Sequence, residues 1–193
     1  MPLIHDRTIV DAPVLDILAE RWSTRLFDGD APLDEEALTS ALEAARWAPS
    51  ANNSQPWRFI VARRGTPAHA AVVSTLAGFN QQWAPRAGAL VVVLAQKTRD
   101  DGTPLRWAEY DAGQAAAFFI AQAHASGLFA HQIGGYDHAA VADAFALDDD
   151  LTPLTVIAVG ALGDADTASD DLRERETAPR TRRPVSELVL LDA

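Results

Sequence analysis

Ala48-Pro49-Ser50-Ala51-Asn52-Asn53-Ser54-Gln55-Pro56-Trp57-Arg58-Phe59 is the stretch on which the reading of this chain turns. Before it lies a helical pattern. Asp34 is placed as N-cap, Leu33 and Leu38 as a hydrophobic staple, and Leu38, Ala41, Leu42 and Ala45 as an apolar stripe that ends at Ala48. After it, residues 57–62 read as a strand. Between them stand four uncharged hydrogen-bonding side chains, Ser50, Asn52, Asn53 and Ser54, with Gln55 against the second proline. Pro49 and Pro56 fix φ and remove two backbone donors, so the segment is stiff and shaped. A connection that only reversed the chain would be shorter and would use a glycine. The loop therefore reads as one that presents amides and hydroxyls outward.

Working outward, Asp11 is placed to cap a helix through Glu20, with Val14, Ile17 and Leu18 on one face. Residues 68–76 predict a short helix, and residues 79–83 a polar-aromatic connection. The β-branched run at 89–95 predicts a buried strand. Residues 97–104 form a charged loop. The longest helix is expected at 105–126 with Gly127 as its C-cap. Its middle is apolar almost all round, from Ala115 through Phe118, Phe119 and Ile120 to Ala123, so it is expected to be central or covered by a second subunit. Residues 128–131 predict a short strand, Asp137 caps a helix to Phe145, and 154–159 predict another strand. Residues 164–181 read as a polar extended arm, and the apolar tail 185–191 as a strand able to pair on another chain.

With 193 residues, the chain is read as one domain, 1–193, with a C-terminal arm at 164–193. A net charge of −11 argues against nucleic-acid binding, which wants a basic face. Cysteine is absent, which excludes disulfides and thiolate chemistry. The first seven residues carry no basic-then-apolar leader pattern, and no apolar run approaches the roughly 20 residues of a membrane span. A cytoplasmic protein, off the membrane, is the expectation. The cations are fifteen arginines and one lysine, Lys97. Arginine offers a planar fork of donors suited to phosphate and carboxylate.

Two arginine clusters stand out. Alternation in an extended Arg21-Trp22-Ser23-Thr24-Arg25 puts two guanidinium forks and a hydroxyl on one side, a phosphate cradle in form. Alternation again pairs Arg180 with Arg182. The plainer alternative for each is a solvated basic turn. Gly134-Gly135 follows the short strand; paired glycines let a backbone lie flat against a ring, or simply make a tight turn. Asn80 is a lone amide between aromatic and polar neighbours. There is no Gly-x-Gly-x-x-Gly, no Gly-Lys-Ser/Thr phosphate loop and no Gly-x-Ser-x-Gly elbow. His124, His131 and His138 lie seven apart, but the intervening glycines break any shared helix face, and no metal site is expected. A phosphate cradle, neutral amides and a glycine-lined flat surface together suit flavin mononucleotide, a cofactor that carries the chemistry itself.

At this point the chain resembles the FMN-dependent nitroreductase family. The resemblance spans Arg21 to Pro184 and rests on four blocks in order: Arg21-x-Ser23-x-Arg25, the 48–59 stretch, Ile133-Gly134-Gly135-Tyr136-Asp137, and Arg180-x-Arg182-x-Pro184. It implies an α+β fold with a central, mostly antiparallel sheet flanked by helices. It also implies an intertwined homodimer whose C-terminal strands are exchanged. By resemblance Arg21, Trp22, Ser23, Arg25, Arg180 and Arg182 lie around the FMN phosphate. Pro49, Ser50 and Asn53 reach the flavin of the other subunit, Asn80 meets the ring's polar edge, and Gly134 and Gly135 set a backbone N–H near flavin N5. No side chain is implied as catalytic, since the hydride is carried at N5. The implied activity is hydride transfer from NADH or NADPH, by a ping-pong cycle, to a flat electron-poor small molecule. A flavin carrier or sensor with little turnover is the alternative within the same fold; a flavin-free acidic interaction module is a third reading. The chain departs from the family pattern at Gly134, where many members carry an acid, and at Ala51, where serine is common.

Overall fold

The structure, a computed structural model, describes residues 10–192; the stretch read for a leader, and Ala193, lie outside the described residues. In chain order the helices are α1 (Asp16–Glu20), α2 (Glu35–Arg46), α3 (Pro67–Thr75), α4 (Asn80–Trp83), α5 (Ala108–Ala125), α6 (His138–Ala144), α7 (Asp170–Thr177) and α8 (Val185–Leu188). The strands are β1 (Trp57–Arg63), β2 (Ala89–Gln96), β3 (Phe129–Ile133) and β4 (Leu151–Gly160). They form one four-stranded antiparallel sheet in the order β1-β2-β4-β3. The expected α+β architecture, a central antiparallel sheet flanked by helices, is what the chain adopts.

The sequence of β2 shows why both faces are covered. Ala89, Val91, Val93 and Ala95 join one core with Leu38, Ala41 and Ala45 of α2 and Ala112, Ala115 and Phe119 of α5. Leu90, Val92 and Leu94 join the opposite core with Val72, Trp83, Ile133 and Val141. A central strand with helices on both sides has no face left for polar residues, so its sequence does not alternate. On β4, a register shift opposite Val93 and Leu94 accommodates Pro153, in the part of the strand that β3 does not reach.

Caps behave as the residue types dictate. Asp34 accepts from Ala37 N at 2.9 Å and Asp137 from Ala140 N at 3.0 Å. Asp11 does not cap its own segment: α1 begins only at Asp16, after Leu15, and the Asp11 carboxylate instead accepts from Val185 N at 3.0 Å, the first residue of α8. The two ends of the described chain are thus tied together.

Three expectations need correction. The 79–83 connection contains the short helix α4. The 164–181 arm is not simply extended: it holds α7, capped by Ser169, whose hydroxyl accepts from Leu172 N. The 185–191 tail is no strand within the chain, for Val185–Leu188 makes a helical turn. Within the single chain helix α5 buries Ala115, Ala116, Phe119, Ile120 and Ala123 and leaves Tyr110 and Phe118 exposed, with Trp107 exposed at its N-cap. Among the described residues no helix is long and apolar enough to cross a membrane.

Candidate functional site

The segment from Arg21 to Leu26 is held from three directions. His131 on β3 donates through Nδ1 to the Thr24 carbonyl at 2.9 Å. The Thr24 hydroxyl accepts from Leu26 N at 2.9 Å. Glu176 on α7, 2 % exposed, takes the Trp22 indole N–H on one carboxylate oxygen and the Arg25 backbone N–H on the other, at 3.0 Å. Trp22 also packs edge-on against Phe129 at 5.1 Å.

This clamping leaves Arg21 and Ser23 on one side, with the Arg21 guanidinium donating to Ser23 Oγ at 3.2 Å. Arg180 arrives from the C-terminal segment and donates to the Arg21 carbonyl at 2.7 Å. The result is a hollow of about 220 Å³ lined by Arg21, Trp22, Ser23, Arg175, Glu176, Arg180 and Arg182. Both arginine clusters meet there, although some 160 residues separate them. Arg25 does not line it; its backbone N–H is held by Glu176 instead.

The hollow is electrostatically incomplete. Burial lowers the Arg21 pKa, and the neighbouring charges of Arg182 and Arg180 push it the same way. Burial and Arg182 lower Arg180. The Nε atoms of Arg21 and Arg180 are buried and find no partner among the described residues. Four guanidinium groups face one carboxylate that is already engaged. Buried donors and like charges arranged in this way are stabilised by an anion with several acceptor oxygens, which a phosphate supplies.

A second element adjoins it. The Arg175 guanidinium lies 4.7 Å above the Phe79 ring. Next in sequence, Asn80 donates through Nδ2 to the Gly135 carbonyl at 3.1 Å, and Ala77 N donates to the same oxygen at 2.9 Å. Gly135 is glycine for an internal reason, since a Cβ there would sit 2.9 Å from Asn80 Nδ2. Gly134 has none: its φ is not positive, and a Cβ would meet nothing within 4 Å. Nothing in the chain itself requires glycine at 134, and an open, flat backbone is what a planar ligand needs.

The 48–59 loop is strained. Asn52, Asn53 and Gln55 have φ of 52°, 53° and 47°. Left-handed backbone costs on the order of 1 kcal/mol for such residues, least for Asn, and persists where surroundings hold it. Here Ser50 Oγ accepts from Gln55 N, and the buried Asp111 of α5 accepts from Ala51 N, both at 3.0 Å. Pro49 and Ser50 line a separate hollow with Trp107, Tyr110 and Gln114, which shares no residue with the arginine hollow. Asn53 is exposed at the loop tip.

The chain therefore unites Arg21, Trp22, Ser23, Arg180 and Arg182, links them through Arg175 and Phe79 to Asn80 and Gly135, and leaves Pro49, Ser50 and Asn53 apart. Sequence reasoning missed Glu176, Arg175 and Asp111. The only signal for Glu176 was its spacing of four from Leu172, which marks an inward face. Among the described residues no His, Cys, Asp and Glu cluster suited to a metal exists. His131 serves Thr24, and His138 bonds the Pro153 carbonyl through Nδ1.

Comparison with known proteins bears on the family and the fold. A solved structure described as an oxidoreductase containing FMN superposes with a TM-score of 0.89 at 34% identity, covering 98% of this chain and 96% of that one. An uncharacterized 15.4 kDa protein of Mycolicibacterium smegmatis is 42% identical over 132 residues, 65% of this chain and 88% of its own. An oxygen-insensitive NAD(P)H nitroreductase of Salmonella typhimurium is 33% identical over 91 residues, 46% of this chain and 42% of its own. The model of the nitroreductase family matches residues 18–161, and the chain belongs to that family.

Proposed function

We propose that the protein is an FMN-dependent NAD(P)H oxidoreductase, working as a homodimer with the site shared between subunits. The observation that carries this reading is the arginine hollow with its two orphaned, buried Nε atoms. Arg21, Ser23, Arg180 and Arg182 would hold the FMN phosphate, with Arg25 outside this first ring of contacts. Trp22 forms one wall. Asn80 would meet the polar edge of the ring, and the bare backbone at Gly134 and Gly135 gives the ring room to lie flat and offers it an N–H.

FMN supplies hydride transfer from NADH or NADPH, by a ping-pong cycle, to a flat electron-poor acceptor: a nitroaromatic, a quinone, or an unsaturated or aldehyde metabolite. The residues here bind and orient; none is placed to move a proton. In a free chain Pro49, Ser50 and Asn53 stand apart from the arginine hollow, so they complete the site from a second copy. Phe118 on the outer side of α5 and the apolar end of the 164–193 arm then pack between subunits of a single 1–193 domain. Dependence on NADH or NADPH fits a cytoplasmic enzyme.

The purified protein should be yellow or become so with FMN, and NADH or NADPH should bleach it within seconds in the absence of air. A folded protein that stays colourless with added FMN overturns the reading. Yellow protein that does not bleach over hours is a flavin carrier instead.

A further inference from the structure

Next to the 48–59 loop lies a groove that shares Pro49 and Ser50 with the proposed flavin contacts and no residue with the arginine hollow. The segment 97–105 is a tightly built loop rather than a loose lid. Lys97 N donates to the Asp150 carbonyl, Leu105 N to the Lys97 carbonyl, and Arg99 N to the Thr103 carbonyl, while Gly102 turns the chain at φ 81°. The Thr98 hydroxyl donates to Asp150 Oδ1 at 2.6 Å. This loop holds Arg99 beside Arg106, and both line a hollow of about 270 Å³ with Ala51, Asn52, Ser54 and Trp107. Trp107 is also a wall of the hollow containing Pro49, Ser50 and Tyr110, so the two hollows form one groove with Trp107 at its waist.

The groove has an aromatic end and a cationic end. Trp107 and Tyr110 are 52 % and 66 % exposed and stand edge-to-face at 6.5 Å. The Arg106 guanidinium lies 5.0 Å from the centre of the Trp107 ring. Among the described residues neither Arg99 nor Arg106 forms an ion pair. The carboxylate that lines both hollows, Asp111, is 3 % exposed and already bonded to Ala51 N. Asp101, near Arg99, accepts from Thr103 N. In a chain of net charge −11, unpaired arginines beside bare aromatic rings are, like the arginine hollow, a local exception to a surface that repels anions.

We propose that this groove selects planar aromatic ligands carrying an anionic group. The ring lies on Trp107 and Tyr110, and a carboxylate, sulfonate or phosphate is gripped by Arg99 and Arg106. The proposal rests on the reading above for its place beside the flavin, since Pro49 and Ser50 are common to both. It names a substrate class: the anion belongs either to an acidic aromatic acceptor or to the phosphate-bearing end of the nicotinamide donor.

Calorimetric titration of the purified protein with four probes separates these. 4-Nitrobenzoate binding at least tenfold tighter than 4-nitrobenzyl alcohol, with the preference lost in an Arg99→Gln/Arg106→Gln double variant, assigns the anion to the acceptor. NADP⁺ binding at least tenfold tighter than NAD⁺, lost in the same variant, assigns it to the donor. A Trp107→Leu variant should weaken acid and alcohol alike. Equal affinity within both pairs, or a preference that survives the double variant, overturns the proposal. Flavin content and anaerobic bleaching, measured on the same samples, report separately on the flavin reading.

Discussion

Glu176 and Trp22, one near each end of the described chain, are joined by a hydrogen bond from the indole N–H to the carboxylate, and the second carboxylate oxygen takes Arg25 N at 3.0 Å. One side chain of α7 thus seats the segment that carries Arg21 and Ser23. Glu176→Ala removes an acceptor from two buried or half-buried donors, which costs about 1–3 kcal/mol. For a chain of this size that lowers the thermal midpoint by several degrees. Glu176→Gln keeps one acceptor and sets an amide N–H against the other donor, so its loss should be smaller. An unchanged midpoint and unchanged tryptophan emission in Glu176→Ala would show that α7 does not hold the segment.

Arg21 should show opposite signs with and without flavin. In the free chain its charge is opposed by burial and by Arg182 and Arg180, so Arg21→Ala should leave the flavin-free midpoint unchanged or raise it. A bound phosphate loses a charge-assisted partner, worth about 1.5–3 kcal/mol, or roughly 10–100-fold in FMN affinity. Fluorescence titration with FMN measures the second and a melting curve the first. Equal FMN affinity in wild type and variant would remove Arg21 from the phosphate site.

The two adjacent glycines are predicted to behave differently. Gly134→Ala meets no neighbour and no positive φ, so it should stabilise the flavin-free chain slightly, by about 0.4–1 kcal/mol through the unfolded state. Any loss of flavin content in it then reports on ring approach alone. Gly135→Ala drives the Asn80 amide off the Gly135 carbonyl and should destabilise the free chain by about 1 kcal/mol. If Gly134→Ala binds FMN as wild type does, no ring lies against residue 134.

Stability should fall on mild acidification. Burial lowers the His131 pKa below the usual 6.5, the nearby Arg25 adds to this, and the hydrogen bond to Thr24 only partly opposes it. Burial lowers His69 and His124 as well. The unfolded chain therefore takes up protons first as pH drops below about 6.5, and folding loses free energy from there toward the lower folded pKa values. Melting midpoints should be flat above about pH 7 and decline below it. His131→Gln, whose amide can still donate to Thr24, should show a shallower decline. A midpoint that rises between pH 7 and 5.5 would contradict the assignment.

These sites differ in how visible they are before folding. The β2 run and the Asp34 and Asp137 caps are local signals, so they mark their elements directly. The arginine clusters are visible as motifs, but their meeting depends on Arg180 reaching the Arg21 carbonyl across the fold. Helix α7 is obscured because its inward position at 176 carries a carboxylate instead of an apolar side chain, leaving no hydrophobic period to read. Asp11 reads as the cap of the helix that follows it, yet bonds a residue near the other end of the chain. A capping side chain states what it can bind, and the tertiary fold selects which backbone N–H it receives.

The tail tests the shared site. Leu190 is 98 % exposed, Leu188 and Leu191 stand out similarly, and Phe118 is bare on α5. So many large apolar groups outside the core are costly unless another surface covers them. Sedimentation over a dilution series should find a dimer that persists at micromolar concentration. Deleting residues 185–193 should shift it toward monomer and, because Pro49, Ser50 and Asn53 then lose their place opposite the arginine hollow, lower flavin content in parallel. If the shortened chain is monomeric but retains full FMN affinity, the site is complete within one subunit. A full-length monomer with bound FMN would do the same, and would leave the strained 48–59 loop needing another reason for its geometry.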